Sequence, residues 1–423
     1  MAREPAAERS LAALRALFGS RLGREFGVRL WDGTELAAPA PAFVLSINAP
    51  FALRAALTPP LDRNPGLAFV EGWLDVIGDL EAALDVLDRA VQNASKLTLA
   101  KVAFQLARLP APPRAGEAYA AHLTGKRHSK ARDAAAVGFH YDQAAAFYRT
   151  FLGEQLVYSC AYWDEGVETL DEAQLAKLDY VLDKVRLRSG ASFLDVGCGW
   201  GSLVIRAAQR GAHALGITLS QRQCETAQQR IAALGLGERA RVELRDYREL
   251  RRERFDAAAS IGMVEHVGQE RLNEYFACVH RVLHEGGLFL NHGIVKQGSD
   301  GKPWRAGGDF IGRYVFPDGE LVRIEATTRA AERAGFEVRD VENLREHYAR
   351  TLRAWVANLT AHREAAVDAA DRRTERIWRI YIAGSARNFA LGRIGLMQTL
   401  LAKPRPDGSS EIPPTRRDLY RSR

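Results

Sequence analysis

The chain has few cysteines and no long apolar run, and these two features exclude several classes of protein. Its 423 residues include four cysteines, which lie far apart with no C-x-x-C pair. This spacing argues against a disulfide framework or a zinc site. No run of about 18 apolar residues is present, and the first residues carry no apolar signal core. We therefore expect a cytoplasmic protein without a membrane-spanning helix.

Basic residues exceed acidic ones. Lys and Arg number 59 against 52 Asp and Glu, so the formal net charge is +7, and the pI is about 9.3. This balance favours an anionic partner, either nucleic acid, a phospholipid surface or an acidic metabolite. The alternative is that the excess only keeps the surface soluble. Two roles are open for the basic cluster 126–132. It binds phosphate groups or RNA, or it is a solvated face of a helix.

Changes in pattern along the chain predict four parts. The N-terminal part is a small α+β domain, in which Leu11, Leu14 and Phe18 recur at helical spacing ahead of two β-like runs. That first helix either faces a membrane or packs in the core. Prolines mark a linker after it. The predicted parts are the N-terminal domain 1–108, the linker 109–138, the main domain 139–402 and a basic C-terminal tail 403–423.

The main domain reads as alternating strands and helices. Helical segments separate five β-like runs, as a parallel α/β sheet requires, and residues 350–402 read as mostly helical. Ligands in such sheets bind beyond the carboxyl ends of the strands. The predicted strands are Phe193–Val196, Ala214–Thr218, Val242–Leu244, Phe255–Ile261 and Gly287–His292.

A glycine-rich turn follows the first of these strands. Gly197, Gly199 and Gly201 alternate as G-x-G-x-G between the strand and a helix that begins near Ser202. Glycine permits positive φ and close backbone approach, and the helix directs free N–H groups at the turn. Dinucleotide-binding turns are spaced differently, as G-x-G-x-x-G. The turn, with Asp195 two residues before it, resembles the S-adenosylmethionine (SAM) site of a Rossmann-like methyltransferase.

Four sequence blocks extend this resemblance to one family. They are Phe139–Asp142, Val157–Trp163, the glycine turn continued to Gly216–Ser220, and Ser260–Gly268. In order and spacing the chain resembles the cyclopropane-fatty-acyl-phospholipid synthases and the mycolic-acid cyclopropane synthases. The resemblance implies a Rossmann-like α/β fold with a mostly parallel seven-stranded sheet. Residues 10–108 resemble the extra N-terminal domain of the phospholipid-acting members.

The resemblance also implies which residues contact SAM. Where many methyltransferases place an acid after the second strand, this chain has Thr218, Leu219 and Ser220. The two hydroxyl residues bind the cofactor, cap the following helix, or do both. The complete predicted set is Tyr158, Ser159, Leu194, Asp195, Val196, Gly197, Cys198, Gly199, Trp200, Gly201, Ser202, Thr218, Leu219, Ser220, Gln223, Asp246 and Tyr247.

Cyclopropane synthases add a methylene group across a cis alkene of a lipid chain through a carbocation, and the resemblance implies a bound bicarbonate as the base. It places the bicarbonate among Cys160, Glu265, His292, Ile294 and Tyr348, with a π face of Tyr141 near the cation. Cys160 as a nucleophile lacks a paired base, so a small buried thiol is its simpler role. After His292 the chain reads Gly-Ile-Val, where the family pattern is Thr-Ile-Gly. The aromatic residues Phe147, Tyr148, Tyr162 and Trp163 line an acyl channel or belong to the core.

The implied partners are unsaturated membrane phospholipids and an anionic bilayer surface, with the protein held peripherally at the inner membrane. Nucleic acid is not expected, because no N/D-P-P-Y/W block is present and Lys and Arg are not interleaved with aromatics. Two other functions stay open. In the first, the chain is a lipid alkene methyltransferase that gives methyl-branched or methylene products. In the second, it is a non-catalytic lipid-binding relative. A homodimer is an open alternative.

Overall fold

The computed structural model describes residues 4–141, 143–298, 308–410, 412–417 and 419. Asp142, at the end of the first sequence block, and the last residues of the predicted tail lie outside these ranges. No helix in the described ranges is both long and apolar enough to cross a membrane.

The described residues contain seventeen α-helices, listed here in chain order: α1 (Pro5–Phe18), α2 (Ala52–Leu57), α3 (Asn64–Val70), α4 (Leu80–Asn93), α5 (Lys96–Ala107), α6 (Lys130–Tyr141), α7 (Ala145–Leu152), α8 (Leu170–Lys184), α9 (Ser202–Gln209), α10 (Gln221–Ala233), α11 (Val264–Val267), α12 (Leu272–Val282), α13 (Gly308–Tyr314), α14 (Ile324–Arg333), α15 (Arg345–Ala361), α16 (Arg363–Ala369) and α17 (Arg372–Ala390).

The same residues contain eleven strands: β1 (Gly27–Leu30), β2 (Glu35–Leu36), β3 (Phe43–Ile47), β4 (Leu74–Gly78), β5 (Ser192–Val196), β6 (His213–Thr218), β7 (Ala240–Leu244), β8 (Phe255–Ile261), β9 (Leu283–Lys296), β10 (Glu337–Asn343) and β11 (Ile394–Ala402).

The chain divides into two compact units. Among the described residues, the first combines 4–122, 308–315 and 371–387, and the second combines the others. This division differs from the predicted one, because the chain does not leave the first unit at residue 108. Leu109 is buried in that unit's core, and its carbonyl accepts a hydrogen bond from Arg54 at 2.7 Å. The predicted linker also contains α6.

The first unit is an α+β domain, as the sequence predicts. Its four strands lie in the order β2-β1-β3-β4. Leu11 and Leu14 of α1 are each 1% exposed and lie in the core with Phe18. Of the two alternatives for this helix, the structure therefore supports the core.

The second unit contains a seven-stranded sheet in the order β10-β11-β9-β8-β5-β6-β7. The pairs β9-β8, β8-β5, β5-β6 and β6-β7 are parallel, and β11 runs antiparallel to both of its neighbours. This confirms the Rossmann-like α/β class and the mostly parallel sheet. All five predicted strands are present, although the fifth is longer than predicted.

The prediction of mostly helical structure over 350–402 is wrong for its last part. Residues 394–402 form β11, which lies between β9 and β10 with nearly all of its residues buried. A strand covered on both faces carries an apolar run without the alternation that marks a half-exposed strand. A short run of this kind is easily mistaken for a buried helix, and β10 was not predicted either.

Candidate active site

The turn between β5 and α9 takes the conformation that its glycines predict. Gly197, Gly199 and Gly201 have φ of 82°, 53° and 81°, in the region that favours glycine. A Cβ at position 201 would lie 2.9 Å from Cβ of Ala227 in α10. A Cβ at position 199 would meet no described atom within 4 Å. Gly201 thus allows close packing of α10, whereas Gly199 faces open space.

Arg230 of α10 ties this turn to a neighbouring segment. Its guanidinium donates to the carbonyl oxygens of Trp200 at 2.7 Å and Gln155 at 3.1 Å, and to the Ser202 hydroxyl at 2.9 Å. Burial lowers the pKa of Arg230 to about 10, so the group stays charged at neutral pH. The residues that follow Gln155 line the same cavity as the turn.

A cavity opens at the carboxyl ends of β5, β6 and β8. This is the edge at which sheets of this type bind ligands. The glycine turn forms one wall, and residues from α6, α8 and the segment 156–159 form the others. Met263 and His266, which follow β8, complete the lining.

Two buried ionisable groups of opposite sign line the cavity. The Lys177 ammonium donates to the Ser159 hydroxyl at 2.9 Å, whereas Oδ1 of Asp195 has no hydrogen-bond partner among the described residues. Burial lowers the pKa of Lys177 to about 8 and raises that of Asp195 to about 7. Near neutral pH the cavity therefore offers one cation and one carboxylate, which suits a zwitterionic ligand.

Glu265 and His292 are two further buried polar residues, the first in α11 and the second in β9. Oε1 of Glu265 accepts the Ile294 N–H at 2.7 Å. Oε2 of Glu265 and Nε2 of His292 are buried without a hydrogen-bond partner in the described part of the chain. Burial raises the pKa of Glu265 to about 7 and holds that of His292 well below its usual value. Unsatisfied buried polar atoms of this kind usually indicate a place for an ion or water.

Gly293, where the chain departs from the family pattern after His292, lies against the Val264 side chain. A Cβ at Gly293 would overlap Cγ1 of Val264, which is the residue before Glu265. The threonine of the family pattern would therefore require the Val264 side chain to move. The bond from Ile294 to Glu265 is formed with glycine at position 293.

The carbonyl of Leu344 lies close to both Cys160 and Tyr348. It accepts the Tyr348 N–H at 3.1 Å and lies 3.9 Å from Sγ of Cys160. The Leu344 N–H donates to Leu396, which is the register partner of Ile294 across β9 and β11. Leu344 thus links Cys160 and Tyr348, through its hydrogen bond to Leu396, to the strand pair that contains Ile294. Burial raises the pKa of the Cys160 thiol, which favours the unreactive buried thiol over a nucleophile.

Comparison with known proteins decides the family. Residues 128–399 match the model of the mycolic acid cyclopropane synthetase family. The chain belongs to this family of SAM-dependent methyltransferases.

Relatives match the chain over nearly its whole length. A protein of Pseudomonas putida named "Probable fatty acid methyltransferase" is 40% identical over 398 residues, 93% of this chain and 96% of the relative. A protein of Mycobacterium tuberculosis with the same description is 34% identical over 416 residues, 96% of this chain and 97% of the relative. Both alignments therefore include the first unit.

A solved structure matches about two thirds of the chain. The mycolic acid cyclopropane synthase CmaA1 complexed with SAH and CTAB is 35% identical, with a TM-score of 0.60. The match covers 64% of this chain and 98% of that protein.

Eleven of the seventeen residues predicted to contact SAM line the cavity of this methyltransferase. They are Tyr158, Ser159, Asp195, Gly197, Cys198, Gly199, Trp200, Ser202, Thr218, Leu219 and Gln223. The other six are buried and do not line it in the described structure, namely Leu194, Val196, Gly201, Ser220, Asp246 and Tyr247. Their contact with SAM, through backbone or side chain, stays a prediction.

The side chains of three predicted contact residues have structural partners. Ser220 caps α10 by accepting the Gln223 N–H at 3.2 Å, and Thr218 donates to Oε1 of Gln223 at 2.8 Å. Burial alone would raise the pKa of Asp246, but two hydrogen bonds from Arg248 hold it below its usual value. The capping alternative therefore applies to Ser220, while Thr218 orients a cavity residue.

The predicted aromatic residues separate into two groups. Tyr141 lines the cavity and makes ring contacts with Tyr158 and His266. Phe147 and Tyr148 are fully buried within an aromatic cluster. Tyr162 stacks on His347 at 4.8 Å, and Trp163 donates to Thr351. Phe147 and Tyr148 therefore fit the core alternative, whereas Tyr162 and Trp163 are only partly buried and their place in an acyl channel stays a prediction.

The basic cluster 126–132 is paired with acids of the same unit. Arg132 forms a two-pronged ion pair with Asp318, Arg127 lies within 3.9 Å of Asp318 and Glu320, and Lys130 bonds Glu249. Three of its cations are thus engaged, which disfavours the interpretation as a phosphate or RNA site.

Lys177 and His266 are site residues that the sequence interpretation missed. The signal for Lys177 was present, because Leu170, Ala173, Gln174, Lys177, Leu178 and Val181 recur at helical spacing and all are buried. A lysine on the apolar face of a helix indicates a buried functional cation. His266 lies within the sequence block Ser260–Gly268, and burial lowers its pKa to about 3.

Proposed function

We propose that the protein transfers a methylene group from SAM to the cis double bond of unsaturated acyl chains in membrane phospholipids, forming a cyclopropane ring. The observation that carries this proposal is the pair of unsatisfied buried atoms, Nε2 of His292 and Oε2 of Glu265. A plain methyl transfer to a heteroatom does not need such a pair. Removing a proton from a carbocation does require a base held near the methyl donor.

SAM fits the cavity through its zwitterionic end. Asp195 would attract the α-ammonium group of the ligand, and Lys177 would attract the α-carboxylate. Gly199 leaves room for the ligand because its ideal Cβ position has open space around it. Holding both charges of this amino-acid end helps to aim the methyl group on the sulfonium, and such positioning accounts for a large part of catalysis in two-substrate reactions.

Bicarbonate, when bound, supplies the base that removes the proton before the ring closes. His292 suits such an anion as a neutral donor through Nε2–H, and ionised Glu265 accepts a hydrogen bond from the anion's hydroxyl. The Tyr348 hydroxyl is the further predicted donor. Burial of all three side chains excludes water that would trap the cation, and Tyr141 adds a π face along the same cavity.

We assign the approach to the bilayer to the first unit. Of the nine large apolar side chains that are exposed in the described chain, Leu97, Leu99 and Phe104 lie on α5. That helix carries Lys96 and Lys101 and no acid. Exposed apolar residues beside basic ones suit an anionic lipid surface. An acyl double bond lies inside a hydrocarbon layer about 30 Å thick, so surface docking would help the enzyme withdraw the chain.

The test is product analysis with purified protein, methyl-labelled SAM and vesicles of an unsaturated anionic phospholipid. We expect the lipid to gain one CH2 unit, and fragmentation to show a ring at the former double bond. His292→Asn should abolish the gain. His284→Asn, on the exposed first part of β9, is the matched control and should retain it. A product formed equally by both variants would refute the assignment of His292.

A second function is favoured by the names of the full-length relatives, both of which are described as probable fatty acid methyltransferases. Such an enzyme shares the cation but gives a methyl-branched or methylene product. A labelled branch in place of a ring in the fragment spectrum would establish it. Lipid binding without any labelled product would instead indicate a non-catalytic relative.

A further inference from the structure

On its Nδ1 side, His292 contacts a row of polar side chains formed by Gln398, Lys184 and Glu342. In the sheet, His292, Gln398 and Glu342 are direct register partners on the neighbouring strands β9, β11 and β10. Nδ1 of His292 lies 3.1 Å from Nε2 of Gln398. Oε1 of Gln398 lies 2.7 Å from the Lys184 ammonium, which also bonds Glu342. Lys184, Gln398 and His292 are each about 1% exposed.

The direction of each hydrogen bond in this row follows from Lys184. An ammonium group only donates, so the Gln398 atom that faces it must be the carbonyl oxygen. The amide NH2 of Gln398 then faces Nδ1 of His292, and Nδ1 must accept. Glu342 and the Tyr180 hydroxyl, which donates to Glu342 at 3.0 Å, hold Lys184 in place.

We propose that Lys184 and Gln398 are positioning residues that fix His292 as the Nε2–H tautomer, so that its donor faces the predicted anion site. The inference rests on the proposed function for what the donor binds, but the tautomer itself is independent of any reaction. A flipped Gln398 amide would place NH2 against the Lys184 ammonium, so the alternative tautomer cannot form without breaking the row. Neighbouring groups that orient a histidine commonly control its function in this way.

The direct test is the nitrogen NMR spectrum of His292 in the full chain labelled with ¹⁵N-histidine, assigned by its loss in His292→Asn. We expect the wild type to show an unprotonated Nδ1 and a protonated Nε2. Gln398→Glu should reverse this, because its carboxylate accepts from both Lys184 and Nδ1–H. Lys184→Arg should keep the wild-type pattern, since it retains the donor. Met397→Leu, the next residue on β11 and directed to the opposite face, is the control.

Activity separates this inference from the proposed function. In Gln398→Glu we expect the bicarbonate concentration for half-maximal activity to rise about tenfold, as for the loss of one bond to a charged group. A reversed tautomer with unchanged bicarbonate dependence would support the role of Lys184 and Gln398 in fixing the tautomer, and it would refute the role of His292 in binding the anion. A wild-type His292 protonated on Nδ1, or a Gln398→Glu spectrum like that of the wild type, would overturn the inference.

Discussion

At the scale of single residues, we expect Lys177 and Asp195 to determine how SAM affinity depends on pH. Below pH about 7 Asp195 becomes protonated and loses its attraction for the α-ammonium group, so affinity falls as the pH falls. Above pH about 8 Lys177 becomes neutral and loses its attraction for the α-carboxylate, so affinity falls as the pH rises. We expect calorimetric affinity to peak between these values, with flanks of up to about tenfold per pH unit.

Two variants show which residue causes each side of this pH profile of SAM affinity. Asp195→Asn should flatten the acid side, and Lys177→Met should flatten the alkaline side apart from any contribution of the ligand's own amine. If the acid flank is identical in the wild type and Asp195→Asn, the carboxylate does not contact the ligand.

Tyr348→Phe tests the third predicted donor to the anion. It retains the ring packing against Phe389 at 4.6 Å and removes only the hydroxyl. Losing a hydrogen bond to a charged group costs about 1.5–3 kcal/mol, which corresponds to a roughly 10- to 150-fold lower rate if the bond acts in the transition state. Added bicarbonate should restore part of the rate by mass action. Full activity of the variant in bicarbonate-depleted buffer would contradict the role.

At the scale of elements, the glycine turn separates ligand contact from packing. Gly199→Val places methyl groups in open space within the cavity, so calorimetry should show a large loss of SAM affinity. Gly201→Ala instead places a Cβ 2.9 Å from Ala227 and should lower the melting temperature more. Both positions have positive φ, so the backbone strain of about 1–3 kcal/mol is shared. Unchanged SAM affinity in Gly199→Val would refute the assignment of the site.

The elements around the cavity could be predicted from the sequence, whereas those around His292 were harder to predict. β5, its turn and Thr218 form a local strand–turn–helix pattern whose glycines have a stereochemical meaning. Gln398 carries no such mark, since its role depends on β11 lying between β9 and β10, a pairing over more than a hundred residues. The burial of Lys177 could be predicted from its place on an apolar helix face. Its proposed role in binding SAM could not, because that role depends on Lys177 and Asp195 lining the same cavity.

At the scale of the whole molecule, we expect membrane binding to depend on α5. Full-length protein should co-sediment with anionic vesicles more than with neutral ones, and salt should weaken the binding through Debye screening. Leu97→Gln with Phe104→Gln should reduce it because both side chains are exposed, at 66% and 54%. Leu234→Gln, exposed to a similar degree in the second unit, is the control.

The same variants distinguish docking from dimerisation. If α5 instead joins two copies of the chain, ultracentrifugation will show a smaller species for the α5 variant and vesicle binding will be unchanged. Activity on detergent-dispersed lipid should be retained in either case, because α5 contributes no residue to the cavity lining.

The interior position of β11 also has a consequence for how the chain is made. Synthesis proceeds from the N-terminus, so β9 and β10 leave the ribosome before residues 394–402 exist. At 5–20 residues per second, the delay between β10 and β11 is roughly 3–10 s. During that interval β9 has an open edge in an otherwise assembled parallel sheet, and such edges invite wrong pairing. The strands around the SAM cavity come earlier, so a nascent chain can form the methyl-donor pocket before Gln398 arrives to orient His292.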